Sequence, residues 1–295
     1  MEAHGFPVSV ICLAVFGLAG CVNDSGIRLD HEYQGRTYLL HVPEDRETHP
    51  PPLVLVMHGY GGSAEWMRTR LGWVQLAEEK GFAVCFPNGT EDQDGRRFWN
   101  VGYEMHNESQ IDDVDFLVDL THHLQIEHGL DPEATYATGF SNGADMSYLL
   151  GCEASETFRA IGPVAGTMMD TLYFTADPEV PRSVIAVNGV VDSITRYDGD
   201  PDNVDGWGAY RSVPEVISLW VRINGLPNCE RSSLVFAGGH GESTKTDIER
   251  YWSYEHPREV KLFKLKDGTH RWPLESDGGG FDATTTIWDF FDQMD

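Results

Sequence analysis

The chain has 295 residues, 41% of them hydrophobic, enough to bury a large core and to exclude wholesale disorder. It carries 21 Lys and Arg against 47 Asp and Glu, a formal net charge of -26. A field of that sign repels nucleic acid and polyanionic substrates. No internal repeat, low-complexity tract or long Pro/Ser-rich linker divides the sequence, which argues for one folded domain behind an N-terminal export segment.

That segment comes first. Val8 to Leu18 is apolar but too short to span a bilayer, and it ends in Leu18-Ala19-Gly20-Cys21. Small residues before a cysteine look like a bacterial lipobox, in which Cys21 becomes the lipidated first residue of the mature chain. Met1 to Pro7 lacks the usual Lys or Arg, so an ordinary cleaved signal also fits. Residues 1–21 are therefore expected to be a signal peptide and 26–295 the domain, extracellular or held at the cell envelope. Export into an oxidising compartment leaves open a bridge between Cys152 and Cys229.

Gly26–His31 and Arg36–Val42 read as antiparallel strands joined through Gln34-Gly35. Leu53 to Met57 is a continuous apolar run of the kind a central parallel strand has. A helix is expected at Trp73–Lys80 and a strand ending at Phe86. Asp112 to His128 is a helix with Val114, Leu117, Leu120 and Leu124 on one face and Gly129 as its C-cap. Ala134 to Thr138 is a short buried strand, and Ala144 to Gly151 an amphipathic helix. Strands follow at Ala160–Val164, Ser183–Val187 and Glu259–Leu265. Ser212-Val213-Pro214-Glu215 opens another helix with a capping box, and Phe281 to Gln293 forms the last one. Strands alternating with helices predict an α/β fold with a mostly parallel, doubly wound sheet and helices on both faces.

Gly139-Phe140-Ser141-Asn142-Gly143 lies between the strand at 134–138 and the helix that follows. A serine on a tight strand-to-helix turn projects its hydroxyl above the sheet, near the positive end of the helix. Glycine at the flanking positions is expected to permit the turn. Serine alone is a poor nucleophile, so a base and an orienting carboxylate must come later in the chain. The strand at 183–187 runs into Asn188-Gly189-Val190-Val191-Asp192, which makes Asp192 the candidate acid, with Asp198, Asp200 and Asp202 crowding the same region. Val260 to Leu265 runs into Lys266-Asp267-Gly268-Thr269-His270, which makes His270 the candidate base. An oxyanion hole is expected from His58-Gly59-Tyr60-Gly61-Gly62 after the first central strand, with the backbone N–H groups of Tyr60 and Asn142 as donors.

The chain resembles the secreted polyhydroxybutyrate depolymerase, feruloyl esterase and acetylxylan esterase family of α/β-hydrolases, the LpqC-like proteins of carbohydrate esterase family 1. The resemblance rests on His58 to Ala64, Phe86-Pro87-Asn88-Gly89, Trp99-Asn100, Asp112 to Phe116, Thr138 to Gly143, Asn188 to Asp192 and His270-Arg271-Trp272-Pro273, and extends to Trp288-Asp289-Phe290-Phe291. It implies an α/β-hydrolase fold, with Ser141 as nucleophile, Asp192 as acid and His270 as base. It also implies Trp272, and more weakly Trp99, as walls of the substrate pocket; an indole packed beneath the His270 loop is the alternative for Trp272. The family usually has His-Gly where this chain has Asn188-Gly189, a proline where it has Ser193, another where it has Arg196, and a glycine where it has Ala144.

Together these readings predict a serine carboxylesterase acting through an acyl-enzyme on a polyester or an esterified polysaccharide fragment. No metal or organic cofactor and no nucleic-acid partner is expected. The protein is expected to act as a monomer whose membrane contact is limited to a lipid anchor. Met168, Met169, Leu172, Tyr173 and Phe174 suggest a small lid or a packed strand connection. Two other readings stand beside this one: an inactive hydrolase fold used as a surface module for binding polysaccharide or polyester, and a peptidase on the same fold.

Overall fold

The short apolar runs form strands that are buried on both faces, and the helices between them cover those faces. A computed structural model describes residues 28–43, 50–237, 243–277 and 280–294; the expected signal segment with Cys21 lies outside the described residues. Strands β1 (Arg28–Tyr33) and β2 (Arg36–His41) lead to β3 (Leu53–Met57), helices α1 (Ala64–Arg70) and α2 (Trp73–Lys80), and β4 (Ala83–Pro87). A two-stranded ribbon of β5 (Thr90–Glu91) and β6 (Arg97–Phe98) precedes α3 (Asp113–His128) and β7 (Thr135–Phe140). Then come α4 (Asn142–Glu153), β8 (Ala160–Val164), α5 (Asp170–Thr175) and β9 (Ser183–Gly189). The chain continues through α6 (Val213–Asn224), β10 (Asn228–Ala237), β11 (Ser243–Trp252), β12 (Glu259–Leu265) and α7 (Ala283–Phe291).

The main sheet is 10-stranded, in the order β1-β2-β4-β3-β7-β8-β9-β12-β11-β10. Strands β4, β3, β7, β8, β9 and β12 run parallel, while β1-β2 at one end and β11-β10 at the other are antiparallel additions. The alternation of side chains across a strand divides the interior in two. Leu53, Leu55 and Met57 of β3 join one core with α3, α4 and α6; Val54 and Val56 join the other with α1, α2 and α7. This is the arrangement that continuous apolar strands predict, with both faces of the central parallel strands covered.

Local signals fix the helix ends. Asp112 caps α3 by accepting from the Asp115 amide, and Gly129 ends it in the left-handed region at φ 63°. Ser212 and Glu215 form the expected capping box on α6, and Gly225 closes that helix at φ 62°.

The β10–β11 hairpin carried no clear sequence signal. Its strands pair in unbroken register from Asn228↔Trp252 to Ala237↔Ser243, yet they are largely polar because much of their surface faces solvent. Cys152 is buried in α4 and Cys229 is exposed on β10; both are free thiols, so the bridge left open by the sequence is not formed.

Candidate active site

Ser141 sits where β7 gives way to α4, with φ 55° and ψ -120°. A positive φ on a non-glycine residue is strained by about 1–3 kcal/mol, and the surrounding contacts hold it there. The flanking glycines do a different job from the one expected. Neither Gly139 nor Gly143 has a positive φ. A Cβ on Gly139 would lie 2.3 Å from the Gly143 carbonyl oxygen, and one on Gly143 would lie 2.4 Å from that of Met57. The serine takes the turn; the glycines let helix, turn and β3 pack backbone against backbone.

His270 Nε2 lies 3.0 Å from Ser141 Oγ, and His270 Nδ1 lies 2.8 Å from Asp192 Oδ2. With Nδ1–H donating to the carboxylate, Nε2 is the lone-pair nitrogen facing the hydroxyl. The other Asp192 oxygen accepts the amides of Ile194, at 2.8 Å, and Thr195, at 3.0 Å, which fixes the carboxylate. The loops after β9 and β12 are joined beyond the sheet: the Val190 amide donates to the Leu265 carbonyl and the Val191 amide to that of Gly268. Contact is so close that a Cβ on Gly189 would fall 2.2 Å from the Gly268 carbonyl oxygen. Acid and base, 78 residues apart, are thus set by two adjacent parallel strands. Asp200, a rival by sequence position, instead accepts the Val204 and Asp205 amides of its own loop.

The loop after β3 lies against the serine: a Cβ on Gly59 would be 3.2 Å from Ser141 Cβ. His58 is fully buried. Its Nε2 accepts the Gly89 amide at 2.9 Å, so Nδ1 carries the proton and donates to the Gly59 carbonyl at 2.8 Å. The Gly62 amide donates to the same carbonyl. A trans peptide points its N–H opposite its C=O, so anchoring the Gly59 oxygen also aims the Tyr60 N–H. The second expected donor is held in the same way: the Ser141 carbonyl accepts the Ala144 and Asp145 amides, which orients the Asn142 N–H. Neither amide donates to a protein acceptor among the described residues. The Asn142 side chain is clamped at both ends by the backbone of Trp99, accepting its N–H at 2.7 Å and donating to its carbonyl at 2.9 Å.

Trp99 and Trp272 are not pocket walls. Trp99 has no exposed surface and donates its indole N–H to the His58 carbonyl at 2.9 Å, bracing the loop from behind. Trp272 packs edge-on to Trp73 in the core and donates to Thr284 Oγ1 at 3.0 Å, anchoring the segment after His270. A cavity of about 20 Å³ beside Ser141 is walled instead by Tyr60, Tyr103, Asp145, Met169, Ile194 and Trp207. On the far side of Tyr60 lies an open groove of about 800 Å³, lined by Asp92, Phe98, Met105 and Ile111. Tyr60 lines both spaces, and its hydroxyl donates to Asp92 at 2.6 Å. Met168 and Met169 are buried, so the segment suspected as a lid is mostly packed connection, with Phe174 exposed beyond it. Asn188 donates to the Gly166 carbonyl and Arg196 pairs with Asp205; neither lines this cavity.

Asp145, one helical turn after Ser141, was not singled out by sequence. It is buried, accepts Tyr103 Oη–H at 2.7 Å and the Thr167 amide at 2.8 Å, and lines the cavity. Burial pushes its carboxyl up to about 7, against the opposing pull of those two hydrogen bonds and of His270. Among the described residues no group of three or more His, Cys, Asp or Glu side chains is arranged to hold a metal ion.

Residues 36–205 match the family model described as Esterase PHB depolymerase. NocK of Nocardia uniformis subsp. tsuyamanensis, named as an esterase, is 28% identical over 83% of this chain and 72% of its own length. Feruloyl esterase B of Piromyces equi is 26% identical over 82% of this chain, which spans only 42% of that protein. Among solved structures, the acetyl xylan esterase from Aspergillus awamori superposes with a TM-score of 0.58 at 15% identity, covering 88% of this chain and 94% of that one, a likeness of fold. Because the matched stretch takes in β2 through the Asp192 loop, more than half of the 295 residues, the chain belongs to the PHB depolymerase esterase family and has its α/β-hydrolase fold.

Proposed function

We propose that the protein is an exported serine carboxylesterase that works through an acyl-enzyme. The observation that carries this reading is the hydrogen-bonded line from Ser141 Oγ through His270 to Asp192. Ser141 Oγ bonds to the ester carbonyl carbon while its proton passes to His270 Nε2, and Asp192 stabilises the imidazolium that forms. The amides of Tyr60 and Asn142 receive the negative oxygen, a contribution of several kcal/mol at the transition state. The bond to the alcohol oxygen then breaks and that oxygen takes the proton from Nε2. Water repeats the cycle on the acyl-enzyme and frees the acid. No cofactor enters this cycle.

The pocket at Ser141 is small beside the open groove beyond Tyr60. This favours an acyl chain of one or two heavy atoms beyond the carbonyl, as in acetyl esters, over a feruloyl group or a longer hydroxyalkanoate. The open groove beyond Tyr60 suits a larger alcohol, such as a sugar ring or a polyester fragment. Residues 1–21 serve export in this proposal, with Cys21 as the lipid attachment site, and 26–295 form the catalytic domain.

Hydrolysis of p-nitrophenyl acetate and butyrate, methyl ferulate and 3-hydroxybutyrate oligomers, by wild type and Ser141→Ala, tests this. Acetyl should be the preferred acyl group, and Ser141→Ala should lower turnover roughly 10⁴–10⁶-fold. Absence of turnover on every ester, with no fluorophosphonate labelling of Ser141, would leave the protein a binding module.

A further inference from the structure

Asp145 has no part in that cycle, yet it is a buried carboxyl in the wall of the cavity that receives the acyl group. Burying a carboxyl away from water is expensive unless something compensates it. Tyr103 and Thr167 each give it one hydrogen bond, one to each oxygen, and a carboxylate has about four acceptor sites. Acceptor capacity therefore remains on a residue that lines the cavity.

The rest of the wall suits a cation. The rings of Tyr103 and Trp207 lie 5.3 Å apart and those of Tyr60 and Trp207 5.7 Å apart, both edge-on, around the same small space. Aromatic faces attract an ammonium most strongly where water is excluded. The space is small, and Ser141 and Asp145 both line it. Asp145 lies in the first turn of α4, four residues after Ser141, so an acyl group on Ser141 and the Asp145 carboxyl share that space. The net charge of -26 adds a long-range field that draws cations in.

We propose that Asp145 and the surrounding aromatic rings form an ammonium subsite, which makes short aminoacyl esters preferred substrates of the Ser141 centre. Asp145 is then a specificity residue: it pairs with the substrate's ammonium and leaves the bond-making to Ser141 and His270. This inference rests on the acyl-enzyme reading above.

The test uses three acyl groups of one shape, –CH₂NH₃⁺, –CH₂OH and –CH₂CH₃, as the benzyl esters of glycine, glycolic acid and propionic acid. For the full-length protein at pH 7.5, kcat/KM should fall in the order glycyl, glycolyl, propionyl, with glycyl at least 10-fold above propionyl. Asp145→Asn, nearly isosteric and uncharged, should cut the glycyl-to-propionyl ratio at least 10-fold. A merely structural role would lower both esters together and leave the ratio alone. In wild type the ratio should rise from pH 5.5 towards 7 as Asp145 ionises, and fall again above about pH 8 as the glycyl ester loses its ammonium proton. Facing it are the Tyr103 hydroxyl, the Thr167 amide, Tyr148 from its own helix and the His270 imidazole, whose part in the cycle is common to both esters.

A wild-type ratio near one, or a ratio unchanged in a folded Asp145→Asn, would overturn the proposal. If that variant does not fold, the wild-type ratio and its pH course decide alone. Benzyl acetate, assayed beside them with Ser141→Ala, reports the underlying reading separately. Serine-dependent acetate turnover without a glycyl preference condemns only the ammonium subsite.

Discussion

His58 shows how one side chain sets the direction of a neighbouring peptide. Burial lowers its pKa to about 4, so it stays neutral and keeps the single proton that Nδ1 donates to Gly59. In the unfolded chain the imidazole binds a second proton near pH 6.5, so between 6.5 and 4 the unfolded state holds more protons than the folded one. Stability is therefore full above pH 6.5 and falls as the pH drops towards 4, by up to about 3 kcal/mol from this residue. Denaturant titrations from pH 4 to 7 should show that slope, and His58→Gln should flatten it while slowing turnover, because the Gly59 carbonyl loses the imidazole donor and keeps only the Gly62 amide. The histidine was legible as part of an oxyanion loop, but its partner Gly89, 31 residues away, was not. Trp99 was misread as a pocket wall, and for Trp272 only the packed alternative held, for the same reason: sequence placed both near the site without saying which way either ring faces. Asp145 escaped notice because an acidic residue on an amphipathic helix ordinarily faces water.

At the scale of elements, the site depends on how closely α4 approaches β3. Gly143 lies where a Cβ would meet the carbonyl oxygens of Met57 at 2.4 Å and His58 at 2.6 Å, both backbone atoms that cannot move aside cheaply. Gly143→Ala should shift the start of α4 away from the oxyanion loop. A destabilisation of about 3 kcal/mol corresponds to a fall of roughly 6–12 °C in Tm for a domain of this size. Calorimetry and p-nitrophenyl acetate turnover on the same sample check it; an unchanged Tm with full activity would contradict the close packing. The parallel strands and the longer helices were legible because burial on both faces, or on one, writes a period into the sequence. The β10–β11 hairpin was not, since an edge pair that meets solvent needs no apolar alternation. Its charged side chains, such as Arg231 paired with Glu249 across the strands, instead keep that edge from recruiting another chain.

Over the whole molecule, the excess of 26 negative charges acts against compactness, because like charges repel more strongly when folded together. Salt screens that repulsion, with a Debye length shrinking from about 30 Å at 0.01 M to about 10 Å at 0.1 M. Tm should therefore rise by several degrees between about 10 mM and 0.5 M NaCl, whereas ordinary surface ion pairs would be weakened by the same change. A scanning-fluorimetry series in NaCl, repeated with a neutral osmolyte to separate charge screening from preferential exclusion, checks the sign. The acidity was fully legible in the sequence; that it leaves a cationic group welcome beside Ser141 was not, since this needs the cavity.

Tyr60 stands as a party wall between the cavity at Ser141 and the open groove, lining both, with its hydroxyl tethered to Asp92. In the proposed cycle its peptide N–H serves the oxyanion, a duty any residue except proline can perform there. Its ring partitions the two halves of an ester, a duty only a side chain of that bulk performs. The position is therefore free to vary in evolution without surrendering catalysis. Each change of side chain, however, alters the tolerance for acid and for alcohol at one stroke, so the two tastes of the enzyme cannot be bred independently at this residue.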